Sequence, residues 1–275
     1  MTDQYAVIGN PIAQSKSPLI HGMFAEVTGQ DLEYTRIEGG VFAADVDAFR
    51  ARGGRGLNIT APFKLDAFAY ATEHSERAKL AGAVNAMKFD GSRVIAENFD
   101  GVGLVRDVTH NLKTAMQGKR ILMVGAGGAA RGALLPFLEQ KPALLVIANR
   151  SLDKAQELAK IGNDHAGAAA PVRACTYAEL EGQTFDIVFN ATSASLRAEL
   201  PPVPASVFAG CSLAYELAYG KGLTPFLRLA SNAGVKQLAD GVGMLAEQAA
   251  EAFEWWRGVR PDTRAVITRI TVPLV

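Results

Sequence analysis

The sequence predicts an α/β protein of two domains, and three observations carry that prediction. Short apolar runs of strand length alternate with amphipathic stretches of helix length almost throughout, the signature of βαβ units and largely parallel sheets. The chain has 275 residues, more than most single cores hold and fewer than three need. A buried-type strand at residues 121–124 runs into a glycine-rich turn and then a helix-forming stretch, the local pattern of a Rossmann-type dinucleotide-binding unit.

The elements follow in order. A first strand is expected over residues 4–8, a turn-rich loop over 9–17, and a helix from Pro18, a residue suited to the first helical position. Strands are expected at 32–37 and 55–59, and a hairpin over 84–97 turning at Asp90-Gly91. A helix over about 101–113 leads to the second run of strands at 121–124, 143–148, 185–189 and 212–217. Residues 195–206 carry three prolines without periodicity and read as a surface loop. A long helix over 242–257 places apolar groups at 245, 249, 252, 253 and 256, one buried face, and is expected to return to the first domain. The boundaries so drawn are 1–102 for a substrate-binding and catalytic domain, 103–240 for the dinucleotide domain and 241–275 for C-terminal helices packing on the first. An alanine-rich stretch at 166–170 is the one segment of low complexity.

Composition narrows the function. Hydrophobic residues make up 49% and charged ones 20%, and 28 basic residues balance 28 acidic ones. No net field then draws in nucleic acid or an anionic membrane, so a small molecule is the expected partner. Cys175 and Cys211 stand far apart, with no C-x-x-C pair and no histidine cluster, so both read as buried thiols and no metal is expected. The first residues lack a basic region, and no apolar run approaches the roughly 20 residues that span a bilayer; a cytoplasmic protein is expected, monomeric or homodimeric.

The turn after residues 121–124 reads Gly125-Ala126-Gly127-Gly128-Ala129-Ala130. Gly125 suits the tight turn, Gly127 lets backbone approach a pyrophosphate, and Ala130 permits close helix packing. Amides at the helix start hold phosphates. A bare glycine run can be no more than a turn, but strand, spacing and helix are all present. The next strand ends at Asn149-Arg150-Ser151, where an NAD enzyme places a carboxylate for the ribose hydroxyls. Arg150 reverses that charge and suits a 2′-phosphate, with Asn149, Ser151 and Lys154 nearby, so NADP is the expected cofactor.

In the first domain, polar groups gather where strands should end. Ser15 and Ser17 flank Lys16 before a helix and can bind a carboxylate, although Ser17 alone reads as a cap. Asn58 and Thr60 precede Pro62 and Lys64, which makes Lys64 a candidate for chemistry rather than a surface group. Asn85 stands at one end of the hairpin, and Asp100 lies in the segment Glu97-Asn98-Phe99-Asp100-Gly101 that leads into the next helix, where it either caps that helix or serves the site. Gln248 puts an amide on the apolar face of the last long helix; it needs partners there, internal or ligand.

Taken together, GNPIAQSKSPLIH, LNITAPFK, AGAVNA, NFDGVGL, GAGGAARG, NRS, NATS, YELAYGKGLTPFL and DGVGMLAEQAAEAF closely resemble the bacterial shikimate dehydrogenase family, from Tyr5 to Trp256. The resemblance implies NADPH-dependent reduction of 3-dehydroshikimate in aromatic amino acid biosynthesis, with two α/β domains facing across a cleft. It implies that Ser15 and Ser17, with Tyr219 close by, bind the substrate carboxylate, that Asn58, Thr60, Asn85, Asp100 and Gln248 hold ring hydroxyls, and that Lys64 and Asp100 form the catalytic pair, Lys64 in proton transfer and Asp100 orienting it. It also implies cofactor contacts at Gly125, Ala126, Gly127, Gly128, Ala129, Asn149, Arg150, Ser151, Lys154, Leu217, Gly241 and Glu76, with Thr192 and Met244 on the nicotinamide side. A quinate-oxidising paralogue and a non-catalytic NADP-binding sensor are the alternatives. The chain departs from the usual pattern at Ala86 and Phe99, each in place of threonine, and at Glu216-Leu217 in place of Asp-Met. Phe99 either packs into the core, as side-chain alternation suggests, or narrows the substrate pocket.

Overall fold

Alternation along the first strand organises the first part of the chain. In the computed structural model, which describes residues 2–166 and 171–275, β1 (Asp3–Gly9) lies between β2 (Leu32–Glu38) and β3 (Gly54–Ile59), parallel to both. The antiparallel hairpin β5 (Ala86–Asp90) and β6 (Arg93–Glu97) continues the sheet from β3, and β4 (Glu73–His74) ends it, in the order β2-β1-β3-β5-β6-β4. Ala6, Ile8, Leu57 and Ile59 pack on one face against Phe42, Val46 and Phe49 of α2 (Phe42–Ala51). Tyr5 and Ala86 take the other face, against Ala252 and Trp256 of α9 (Val242–Arg257). Period-two alternation produces this division directly. Gly56 makes it possible: a Cβ there would sit 2.7 Å from the Trp256 indole nitrogen, which instead donates to the Met87 carbonyl at 3.0 Å. Helix α1 (Ser17–Thr28) meets α9 through Ile20, Phe24, Ala246, Ala249, Ala250 and Phe253.

The second sheet is wholly parallel. Its strands are β7 (Arg120–Val124), β8 (Leu144–Ala148), β9 (Val172–Cys175), β10 (Ile187–Asn190), β11 (Leu213–Glu216) and β12 (Gln237–Asp240). They lie in the order β12-β11-β10-β7-β8-β9, which, counted from the first strand of the unit, is the doubly wound dinucleotide-binding order. Every residue of β8 is buried, as expected of a strand covered on both faces. Helices α6 (Gly128–Glu139), α7 (Leu152–Ala166) and α8 (Pro225–Asn232) belong to this unit. The α/β fold class is therefore the one the sequence predicts.

The chain divides into Met1–Gly103 with Leu245–Ile270, and Leu104–Met244 with Thr271–Val275. Most of α9 thus belongs with the first unit. The last five residues do not: Leu274 packs on the core of the second unit, which corrects the expectation that everything after residue 240 joins the first. Residues 195–206 are also not simply a surface loop, because short 3-10 turns at Ala194–Arg197 and Ala205–Phe208 enclose them and Val203 is buried in the core beside Val207 and Phe208. Prolines marked the irregular backbone correctly but concealed its apolar anchors. The hairpin turn lies one residue later than expected, since Asp90 still pairs with Arg93. The helix expected over 101–113 is α5 (Asp100–Arg106) followed by a π-helical turn at Asp107–Asn111. Of the alanine-rich stretch, 167–170 lie outside the described residues. Cys175 and Cys211 are buried, as expected. No helix among the described residues is long and apolar enough to cross a membrane.

Candidate functional site

The first unit gathers its polar side chains at the C-terminal ends of β1 and β3. Lys64 is the first residue of α3 (Lys64–Tyr70), and its ammonium pairs with Asp100 Oδ2 at 2.5 Å. The Lys64 side chain keeps 34% of its exposure despite that bond, and the Asp100 side chain 18%, so the pair is accessible. Asp100 does not cap α5 through its carboxylate. Asn98 supplies the turn instead, its Oδ1 accepting the Asp100 amide at 3.1 Å, which leaves both carboxylate oxygens for other partners. Asn85 Nδ2 donates to Asp100 Oδ1 at 2.8 Å and to Gln248 Oε1 at 3.4 Å, while Asn85 Oδ1 accepts the Phe99 amide at 2.8 Å. Asn85 therefore holds Asp100 in place with its whole amide engaged. Gln248 Nε2 donates to the Leu245 carbonyl at 3.0 Å, which fixes the other end.

The same network reaches the serine loop. Asn58, on the α9 face of β3, donates to the Asn85 carbonyl at 3.3 Å and accepts from the Tyr34 phenol at 2.6 Å. Tyr34 stands in turn beside the Ser17 hydroxyl. Ser17 is the first residue of α1, whose N-cap position is Lys16 without a side-chain capping bond; the Ser17 amide donates to Ser15 Oγ at 3.3 Å, which leaves the Ser15 O–H free to donate. Arg36 anchors that loop through the Ser15 carbonyl at 2.7 Å. Thr60 follows β3 with its methyl where a Cβ on Gly9 would fall, at 2.4 Å. Ser15, Ser17, Asn58, Thr60, Lys64, Asn85, Asp100 and Gln248 thus belong to one unit, and all but Thr60 are linked through this network. Phe99 points away from it: its ring is buried with Tyr5, Ala86, Ala252 and Trp256, edge-on to Trp255 at 5.7 Å.

In the second unit the strand order reverses between β7 and β10, where open α/β sheets bind ligands. Gly125, directly after β7, has φ +107°, and a Cβ there would meet Thr192 and Ala191 at 3.1 and 3.2 Å. Both the backbone angle and the space require glycine. Around Gly127 and Gly128 an added Cβ would meet nothing within 4 Å, and the first-turn amides of α6 carry no side-chain cap. That open cradle of amides fits a pyrophosphate. Asn149 and Arg150 follow β8, Asn149 Nδ2 donating to the Ser151 carbonyl at 2.9 Å. Arg150 and Lys154 are exposed at the start of α7, where cations suit a ribose phosphate. Asn190, at the end of β10, accepts from the Thr192 hydroxyl at 2.8 Å and bonds Leu217 through backbone at 3.0 Å. Gly241 has no room for a side chain, because its Cβ would lie 2.1 Å from the Leu217 carbonyl oxygen. The Met244 amide donates to the Tyr215 hydroxyl at 3.3 Å. Thr192, Leu217, Gly241 and Met244 are thereby tied to the ends of β10 and β11. Glu76 stands in the first unit, paired with Lys79 at 2.7 Å on the surface, and Tyr219 is 44% exposed in the second.

Residues 7–87 match the shikimate dehydrogenase substrate binding domain, 107–198 the shikimate / quinate 5-dehydrogenase family, and 241–270 the shikimate 5′-dehydrogenase C-terminal domain. The shikimate dehydrogenase (NADP(+)) of Chromobacterium violaceum is 55% identical over 97% of this chain and 97% of its own. The chain belongs to the shikimate dehydrogenase family. A second member, the shikimate dehydrogenase (NADP(+)) of Nitrosospira multiformis, is 53% identical over 97% of this chain and 96% of its own. Among solved structures, an Ael1 enzyme from Pseudomonas putida is 61% identical with a TM-score of 0.96, covering 100% of both chains.

Within this shikimate dehydrogenase fold, sequence reasoning missed three groups. Tyr34 shares a face of β2 with Leu32, but neither it nor His21 carries a motif that marks it in the sequence. Asn98, whose Oδ1 accepts the Asp100 amide at the start of α5, is masked in the sequence by Asp100 beside it. Glu216 was seen only as a departure, yet it is fully buried and accepts from Asn190 at 2.9 Å, from Thr224 at 3.2 Å and from Ser195. Burial pushes its carboxyl pKa up, opposed by those same donors.

Proposed function

We propose that the protein catalyses the reversible NADPH-dependent reduction of 3-dehydroshikimate to shikimate, with substrate held on the first unit and NADP on the second. The observation that carries this reading is the Lys64–Asp100 pair, fixed by Asn85; Lys64 and Asn85 lie in the stretch 7–87 that matches the family's substrate binding domain. The curated relatives named above, each spanning nearly the whole chain, bear the matching activity in their names.

A ketone under reduction develops negative charge on its oxygen, which a nearby ammonium can stabilise and protonate. Lys64 has three N–H donors and gives one to Asp100, so two remain for a ligand. Asp100, held by Lys64 and Asn85, orients the ammonium. Ser15 and Ser17 suit the carboxylate, and Asn58, Thr60, Asn85 and Gln248 surround the hydroxyl end. NADPH supplies the hydride when bound; the amides of Gly127 to Ala129 would hold its pyrophosphate, Arg150 with Asn149, Ser151 and Lys154 its 2′-phosphate, and Thr192, Leu217, Gly241 and Met244 its nicotinamide end. The equal numbers of acidic and basic residues support a small-molecule partner rather than nucleic acid.

Following cofactor reduction with shikimate, with quinate and with neither tests the reading. NADP reduction with shikimate, well above that with quinate and well above NAD reduction, is expected. Preference for quinate or for NAD overturns the substrate or the cofactor assignment, and no reduction under any condition overturns the activity itself.

A further inference from the structure

We infer that Tyr34 is a positioning residue for the substrate site proposed above, locking the Asn58 amide so that Asn58 offers the ligand an N–H and no acceptor. The inference rests on that proposed reading and extends it to a residue of the edge strand. Tyr34 lies on β2 opposite Tyr5, and its ring stacks flat on the buried His21 imidazole, with centroids 4.2 Å apart and planes 4° from parallel. From this seat the phenol donates its single proton to Asn58 Oδ1 at 2.6 Å. The Asn58 amide spends one N–H on the Asn85 carbonyl at 3.3 Å, and one N–H remains. A flipped amide would aim its oxygen at the Asn85 carbonyl oxygen and withdraw the acceptor from Tyr34, so both neighbours favour the same orientation.

The chemistry of the pair keeps the lock in one state. Burial holds the Tyr34 phenol well above its ordinary pKa, the Ser17 hydroxyl opposing only part of the shift, so the phenol stays a donor. Burial likewise pushes the His21 imidazole down to about 3, with Asn58 opposing, so the stacking partner stays neutral. The Ser17 hydroxyl lies beside the same phenol that donates to Asn58. Tyr34 thereby joins the residue suited to a carboxylate with the residue suited to a ring oxygen, and the ligand oxygen at Asn58 must accept.

Tyr34→Phe keeps the ring and its stack on His21 and removes only the hydroxyl. Calorimetric titration of the full chain with shikimate, for the unaltered protein, Tyr34→Phe, Asn58→Ala and the double variant, tests the inference without depending on turnover. Tyr34→Phe is expected to weaken binding by roughly 3- to 10-fold, the range of a hydrogen bond lost from a partly buried network, with NADP binding unchanged. In the Asn58→Ala background the same substitution should change shikimate binding by less than about 2-fold, because the group it acts through is gone. An equal loss in both backgrounds, unchanged shikimate binding, or an equal loss for NADP overturns the positioning role. Failure of the unaltered protein to bind shikimate is a separate result that overturns the proposed substrate and this inference together.

Discussion

Replacing Phe99 by threonine, the residue usual in the family, separates a core role from a pocket role. The ring is 3% exposed, lies edge-on to Trp255 at 5.7 Å and has the Arg77 guanidinium 5.8 Å from its centroid. Removing a buried phenyl ring costs about 3–5 kcal/mol, a figure that already contains the aromatic and cation–π contributions of about 1 kcal/mol each. Threonine returns one methyl but buries a hydroxyl, whose cost offsets that gain unless a partner is found. The net expectation is a loss of about 3–4 kcal/mol of stability. The link to the site runs through backbone: the Phe99 amide donates to Asn85 Oδ1 at 2.8 Å, and threonine keeps that donor. The ratio of kcat/KM for shikimate over quinate should therefore stay within about 3-fold. Urea unfolding gives the first quantity and steady-state kinetics the second. Stability changed by less than about 1 kcal/mol together with a ratio moved more than about 10-fold would refute the core assignment.

Two further outcomes follow from buried titrating groups. His21 falls from an ordinary 6.5 to about 3 because of burial, so the unfolded chain takes up its proton first, and stability drains as pH falls from about 6.5 towards 3. This group alone should remove about 2 kcal/mol between pH 7 and pH 5; urea unfolding at both pH values should show the slope reduced by that amount in His21→Phe, and equal slopes would contradict it. Burial pushes the thiols of Cys175 and Cys211 up to about 11, so a thiol reagent at pH 8 should label the protein only as it unfolds, and rapid labelling of both in the native state would contradict their burial.

How much was legible depends on the sequence distance over which each feature is built. The dinucleotide turn is local: strand, Gly125, Gly127 and the start of α6 lie within a few residues, and their geometry follows from residue type. The hairpin and the long apolar face of α9 were likewise visible as periodicity. The Tyr34–Asn58 bond spans 24 residues and the Asn85–Gln248 bond 163, and only strand order brings such partners together. Alternation on an edge strand shows which residues share a face but not what covers it. Residues 195–206 failed for another reason, since the prolines that break periodicity also hide the anchoring of Val203. The sequence leaves Asp100 open between a helix cap and a site group; Asn98, which accepts the Asp100 amide, leaves the carboxylate to Lys64 and Asn85.

In the proposed reaction Lys64, oriented by Asp100, handles the proton. Steady-state kinetics of Lys64→Ala with shikimate and NADP test it most directly. The structure predicts a fall in kcat of roughly 100-fold or more, the range of general acid–base catalysis, with KM for shikimate changed far less. An unchanged kcat would contradict the claim.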